Sequence, residues 1–174
     1  LVAAEDTRHS RNLLSNCGID KPLVALHEHN EEAMAPRLVE RLLGGESIAL
    51  VSDAGTPLMS DPGFRLVRLA IEKGVRVTPI PGPSSIITAL SVAGIATDRF
   101  VYEGFLPARQ MARVARLNAL SSETRTLVFF ESSHRILDSL ADMASSLGGE
   151  RQLAVCRELT KQFETILRGN VDQV

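Results

Sequence analysis

The chain has 174 residues, 44% of them hydrophobic and 23% charged, with a formal net charge of −2. That composition describes a globular protein of one large or two small domains and excludes disorder, collagen-like repeats and coiled coil. The balanced charge excludes a globally basic nucleic-acid binder, and the longest small or apolar run, Ile86 to Ala96, is far shorter than the roughly 20 residues of a membrane span.

Short β-branched stretches alternate with stretches of helical period, the sequence form of repeated βα units around a largely parallel sheet. Strands are predicted at Leu1 to Ala4, Leu23 to Leu26, Ser47 to Val51 and Val75 to Ile80. Helices between them are predicted at Arg8 to Cys17, with Thr7 as N-cap and Gly18 as stop, at Glu31 to Leu43, and at Phe64 to Lys73. A further helix, Ser85 to Ala93, follows Pro81-Gly82-Pro83. The pattern then changes near Thr97, where a domain boundary is expected between residues 1–97 and 98–174. Beyond it the spacing predicts a strand at Phe100 to Glu103, a helix at Arg109 to Leu120, a strand at Thr126 to Phe130, a helix at His134 to Leu147, and strands at Leu153 to Cys156 and Phe163 to Leu167.

The most informative segment is Ser52-Asp53-Ala54-Gly55-Thr56-Pro57-Leu58-Met59-Ser60-Asp61-Pro62-Gly63, lying between a predicted strand and a predicted helix. A purely structural βα connection needs about two to six residues; this one is longer, rich in Gly, Pro, Asp and Ser, and sits where open α/β sheets bind ligands. It lacks both the Walker pattern and the dinucleotide pattern, which argues against a nucleoside triphosphate or a conventional NAD site. Pro81-Gly82-Pro83-Ser84-Ser85 also joins a predicted strand to a helix, and its serines can either cap that helix or donate to a ligand. Polar clusters Glu5 to His9 and His27 to Glu31 follow the first two strands, so four successive strands end in polar or glycine-rich loops at one sheet edge.

His27 and His29 lack a third ligand at recognisable spacing, and no metal is expected. Cys17 and Cys156 read as small buried hydrophobes in a reducing, cytoplasmic setting. Sixteen of the 19 basic residues are Arg, a bias that either bidentate phosphate recognition or base composition of the genome produces. Arg109, Arg113 and Arg116 stand at i, i+4 and i+7, either a cationic stripe for a phosphate backbone or a solvated helix face.

Six segments taken together carry a resemblance: Ala4 to Arg8, His27 to Glu31, Ser52 to Gly63, Pro81 to Ser85, Asp98 to Pro107, and Arg157 to Lys161. In this order they resemble the ribosomal-RNA-methylating members of the tetrapyrrole methylase superfamily, along essentially the whole chain. The resemblance implies two α/β domains with a cofactor cleft between them, and a homodimer. It implies an S-adenosylmethionine-dependent enzyme that methylates the ribose 2′-hydroxyl of a cytidine in small-subunit (16S) ribosomal RNA, free or in the assembled 30S subunit. By matching positions, Ala54, Gly55, Thr56 and Met59 would wrap the cofactor with Ser84 and Ser85, and Glu131 and Leu159 would lie near it. A ribose hydroxyl gains from a general base; Asp6, His27 and Glu131 are the candidates, although Asp6 taken alone reads equally as a helix N-cap or an ion-pair partner of Arg8, and Arg8 would orient a phosphate beside Arg109, Arg113 and Arg116. Members of the superfamily start with a further strand and glycine loop and continue past the position of Val174, so the chain is expected to be truncated at both ends, without a signal peptide, and to bind cofactor weakly. Two other readings remain: a methylase of a corrin or porphyrin precursor, which would not need the Arg stripe, and a non-enzymatic RNA-binding module.

Overall fold

The computed structural model describes all residues from Leu1 to Val174. The chain divides into two compact units, Leu1–Pro83 and Ser84–Val174.

The first unit is built on three short parallel strands, β1 (Val2–Ala4), β2 (Leu23–Ala25) and β3 (Ala49–Val51), in the order β2-β1-β3. Val2 aligns with Leu23 on one side and with Ala49 on the other, so all three strands run out at the same edge of the sheet. Helices α1 (Thr7–Asn16), α2 (Glu31–Leu43) and α3 (Phe64–Glu72) make the connections. The core is small and aliphatic: Ala3 and Leu26 from the sheet side meet Ala35, Leu38 and Val39 of α2 and Leu66 and Ala70 of α3. Each of these helices contributes apolar residues three or four apart, the spacing of a buried stripe. Pro36 lies inside α2 on its exposed side and does not interrupt it.

Three local expectations change. The N-cap of α1 is Asp6, whose Oδ1 accepts from the amides of Arg8 at 2.8 Å and His9 at 3.4 Å; Thr7 is already the first helical residue. Cys17 is exposed at the C-cap of α1, where no apolar neighbour covers it. Val75 to Ile80 forms no strand. Val75 packs on the core, but no strand pairs with the segment, and Ile80 stands 83% exposed. An apolar, β-branched stretch becomes a strand only when a neighbouring edge takes its backbone groups.

The second unit begins with α4 (Ser85–Ala93) and continues through β4 (Phe100–Phe105), α5 (Gln110–Ala119), β5 (Thr126–Phe130), α6 (Ile136–Leu147), β6 (Gln152–Arg157) and β7 (Thr165–Asn170). β4 and β5 pair in parallel, with a register shift between Tyr102 and Gly104, while β6 and β7 form an antiparallel ribbon. Leu106, Leu117, Met143 and Val171 centre its core, beneath the packed pair α5 and α6. The sequence places the domain boundary near Thr97, after α4. In the structure α4 packs on β6 and β7, and the Arg168 guanidinium donates to the Val92 carbonyl near the end of α4, from Nε at 2.9 Å and Nη2 at 2.6 Å. The compact units therefore divide ahead of α4, at Pro83 and Ser84.

Candidate functional site

At the carboxyl ends of β1, β2 and β3 the first unit gathers its polar loops. The segment Ser52 to Gly63 dominates them. Asp53, Ala54, Gly55 and Thr56 are exposed, and Gly55 takes a left-handed φ of +75° that a side chain would strain. Leu58 and Ser60 hold φ values of 74° and 68°, unusual for residues with side chains. The loop is fixed at several points. Ser52 donates its hydroxyl to the Ala54 carbonyl at 3.2 Å, and the Asp6 amide donates to Asp53 Oδ1 at 3.2 Å. Thr56 donates to the carbonyl of Pro83 at 2.8 Å, so the two glycine- and proline-rich loops singled out in the sequence meet. Met59 is exposed beside them.

The far end of the loop is closed by Glu31, which is buried at the start of α2. Its Oε1 accepts from the amides of Gly63 at 3.0 Å, Arg65 at 2.7 Å and Leu66 at 3.4 Å, capping α3 in place of a local side chain. Gly63 must be glycine: its φ is +124°, and a Cβ there would lie 2.6 Å from Leu50.

The electrostatics of this edge are acidic. Glu5, Asp53 and Asp61 stand close enough to influence one another. Partial burial, then the charges of Asp61 and Asp53, push the Glu5 carboxyl above the ordinary range, and burial and Asp53 do the same to Asp61. Sequence reasoning passed over this pair, because nothing local signals that residues 5 and 61 meet.

Of the three candidate bases, Asp6 and Glu131 have side chains held in hydrogen bonds, while His27 is held through its backbone amide. Asp6 caps α1 and pairs with Arg8, Nη2 to Oδ2 at 3.3 Å; the Arg8 amide and then its guanidinium hold the carboxyl below the ordinary range, which makes it a weak base. His27 follows β2 in a turn held by Asn30, whose Oδ1 accepts from the His27 amide at 2.9 Å and whose Nδ2 donates to the Ala25 carbonyl at 3.1 Å. The His27 Nδ1 is buried without a hydrogen-bond partner.

In the second unit, Glu131 follows β5 with a side chain only 6% exposed. It accepts from the Ser132 amide at 2.7 Å, from the Ser139 hydroxyl at 2.6 Å, and from Arg135 Nη2 at 2.7 Å. Those donors reach both carboxylate oxygens, so Glu131 organises the turn into α6. Leu159 lies between Glu158 and Thr160, which hold φ values of 51° and 64°; the Thr160 amide donates to Glu164 at 2.6 Å, fixing the turn after β6. Ser84 stands at the N-cap of α4 without a side-chain cap bond, which leaves its hydroxyl uncommitted there, and Ser85 is the first helical residue.

The Arg stripe is corrected by the structure. Arg113 is buried, with Nε 2.6 Å from Asp142 Oδ2 and Nη1 3.4 Å from the Ala108 carbonyl. Arg116 pairs with Glu103. Arg109 is exposed, so the three do not form one cationic face. No three His, Cys, Asp or Glu side chains converge on a common point suited to a metal ion.

The profile described as Tetrapyrrole (Corrin/Porphyrin) Methylases matches residues 1–174. The chain belongs to the tetrapyrrole methylase family. Among solved structures, the chain superposes on the cobalt precorrin-4 methyltransferase CbiF with a TM-score of 0.63 at 20% identity, covering 99% of the chain and 74% of that protein. The methyltransferase CobJ gives a TM-score of 0.62 at 15% identity, covering 99% of the chain and 86% of that one. These likenesses show the fold. Curated relatives are nearer in sequence. "Ribosomal RNA small subunit methyltransferase I" of Xylella fastidiosa (strain Temecula1) is 58% identical over 98% of the chain and 63% of its own length. The proteins of that name from Pasteurella multocida and Escherichia coli O157:H7 are 58% and 56% identical, with 61% and 58% of their own lengths covered. The chain thus spans about three fifths of the length of these relatives. No helix is long and apolar enough to cross a membrane.

Proposed function

We propose that the protein is an S-adenosylmethionine-dependent methyltransferase of small-subunit ribosomal RNA, acting on the 2′-hydroxyl of a cytidine ribose. The observation that carries this reading is the 58% identity, over 98% of the chain, to a protein named ribosomal RNA small subunit methyltransferase I. A likeness to corrin methylases at 20% identity speaks for the fold alone.

The chemistry of the first unit's loop supports a sulfonium cofactor. Between Ser52 and Gly63 every polar side chain ends in oxygen, and no Lys, Arg, His or Cys is present to compete for the methyl group. Ala54, Gly55 and Thr56 offer an exposed backbone that a ligand can approach closely, held in shape by the Thr56–Pro83 bond; Met59 adds an exposed thioether beside it. By the family resemblance, Ser84, Ser85, Glu131 and Leu159 of the second unit are further cofactor-binding candidates. S-adenosylmethionine supplies an already activated methyl group, so alignment of the nucleophile is the main demand on the protein, and no metal is needed. Arg8, with a side chain 92% exposed at the same edge, and the exposed Arg109 and Arg116 are proposed to contact RNA phosphates. A homodimer working in the cytoplasm completes the proposal.

The test is incubation of the protein with labelled S-adenosylmethionine and small ribosomal subunits lacking the modification, followed by mapping of the labelled nucleotide. Label on one cytidine ribose is the expected result. Label on a porphyrinoid and none on RNA would replace this reading by that of a corrin or porphyrin methylase. RNA binding indifferent to cofactor, with no transfer, would replace it by that of an RNA-binding module.

A further inference from the structure

Helix α1 starts beyond the carboxyl end of β1, and its N-cap is tied to the glycine-rich loop where the Asp6 amide donates to Asp53 Oδ1 at 3.2 Å. Ser10 is its one buried residue, with Leu14 half-buried four positions on; the opposite side carries Arg8, Arg11, Asn12 and Ser15, all exposed. No Asp or Glu occurs between Thr7 and Asn16, and the Asp6 carboxylate ahead of them accepts from the amides of Arg8 and His9. On α3 and α2 exposed arginines meet carboxylates: Arg65 lies 3.5 Å from Glu32, Arg68 2.8 Å from Glu72 and Arg41 2.7 Å from Glu46. On α1, Arg8 reaches only Asp6, at 3.3 Å with its side chain 92% exposed, and Arg11 forms no ion pair. Two cations a turn apart repel each other, and one in the first turn also opposes the helix dipole. An exposed pair such as Arg8 with Asp6 offsets little of this, so the arrangement suits an anion from outside the chain.

We infer that the outer side of α1 is the surface that holds the backbone of the RNA substrate, with the guanidinium groups of Arg8 and Arg11 on its phosphates. This rests on the reading of small-subunit ribosomal RNA as the substrate. The side from Arg8 to Ser15 is about 10 Å long, enough for more than one phosphate of a strand that carries one every 3.4 Å or so. Asn12 and Ser15 add exposed hydrogen-bond donors along it. Glu5, Asp53 and Asp61, at the edge where the helix starts, repel phosphate and so steer the backbone along α1 and away from the loop. A second copy of the chain is a poorer occupant, because a two-fold contact of α1 with itself sets the same unpaired arginines against each other.

The experiment measures binding of protein-free small-subunit ribosomal RNA to the full chain as monovalent salt rises from about 50 to about 200 mM, with circular dichroism as the control for folding. Each phosphate contact contributes about 0.7 to 0.9 to the slope of log affinity against log salt, a factor of about three over that range. Arg8→Gln and Arg11→Gln are each expected to lower the slope by that amount. Arg37→Gln, exposed on α2 three residues before Glu40, removes the same formal charge and is expected to leave the slope unchanged. A wild-type slope in Arg11→Gln overturns the inference. An equal drop in Arg37→Gln does so too, by making the effect one of net charge. Loss of self-association in Arg11→Gln with RNA binding intact, read by analytical ultracentrifugation, overturns it in favour of a second copy. Methyl transfer to small subunits is followed in parallel. Label on RNA with the slope unchanged in Arg11→Gln sinks the inference and leaves the substrate reading standing; the expected slopes without transfer keep the surface and sink the methyltransferase reading. A wild type that binds no RNA even at the lowest salt overturns both.

Discussion

Arg113 and Asp142 form a buried ion pair between α5 and α6, with Nε 2.6 Å from Oδ2 and side chains 4% and 7% exposed. Gln110 donates to the other oxygen at 3.1 Å; that bond, ahead of the guanidinium, holds the Asp142 carboxyl below its ordinary range. Deleting one partner strands the other charge in the core. Arg113→Met is therefore expected to cost about 3–5 kcal/mol of stability, whereas Arg113→Met with Asp142→Leu restores most of it. Chemical denaturation of the two variants checks this, and a mild effect of the single change would return Arg113 to the surface.

Thr56 ties its own loop to the Pro81–Pro83 loop through one hydroxyl bond of 2.8 Å. Thr56→Val keeps the shape and loses the bond. The expected cost in stability is about 1 kcal/mol, with a larger proportional loss of S-adenosylmethionine affinity, because the loop is no longer set before binding. Gly55→Asp is harsher: it puts a charged side chain at a φ of +75°, with its Cβ 3.7 Å from the Pro83 carbonyl. There the fold is expected to persist and cofactor binding to be lost, read by melting temperature and calorimetry together. Equal affinity in Gly55→Asp would remove the loop from the site.

Glu5 and Asp61 give the acidic edge a signature in pH. Both carboxyls titrate above their ordinary values in the folded chain, so the native state binds more protons than the unfolded state between the ordinary and the raised values. Above that window both states are ionised, and the cost of burying these carboxylates, followed by the repulsion of their acidic neighbours, is felt in full; as pH falls through it, that cost is relieved. Asp61→Asn is thus expected to melt higher than the wild type at neutral pH, with the difference closing as the medium becomes acidic. The comparison between the two chains matters, because Asp6 and Glu46, whose carboxyls titrate below the ordinary range, lose stability over the same acid limb in both. A gap between the melting curves that does not change with pH would show that the Asp61 carboxyl is not raised by burial and its neighbours.

Local patterns in the sequence were enough for most elements of the fold. The limits of α2 and α4 follow from apolar spacing and from the flanking polar and glycine residues, and the glycine-rich loop announced itself by composition. What failed was information held by distant partners. The spacing of Arg109, Arg113 and Arg116 says that they share a side of a helix, but only Asp142, 29 residues from Arg113, makes part of that side an interior. Val75 to Ile80 has the composition of a strand, yet no strand pairs with it. Glu31 lies in a cluster that reads as a polar rim, while its role depends on amides more than 30 residues away. The contest between Thr7 and Asp6 for the cap of α1 is of another kind: both residue types cap well, and the choice turns on one residue of register.

Glu131 tests how far a carboxylate at a strand end can be assigned chemistry from position alone. In the structure it is the hub of a small network, accepting from Ser132, Ser139 and Arg135, with Ser139 itself fully buried. A general base and a hub respond differently to the same change. Glu131→Gln keeps the volume and one acceptor oxygen, but it loses the charge that holds Arg135 and presents an amide where Ser139 or the Ser132 amide donates. The expected result is a loss of about 1.5–3 kcal/mol of stability, the range for a hydrogen bond to a charged group. Methyl transfer, measured on small subunits below the melting range, should fall modestly while the acid limb of its pH–rate profile stays in place, because the proton is accepted elsewhere. Disappearance of that limb in a variant that remains folded would identify Glu131 as the base.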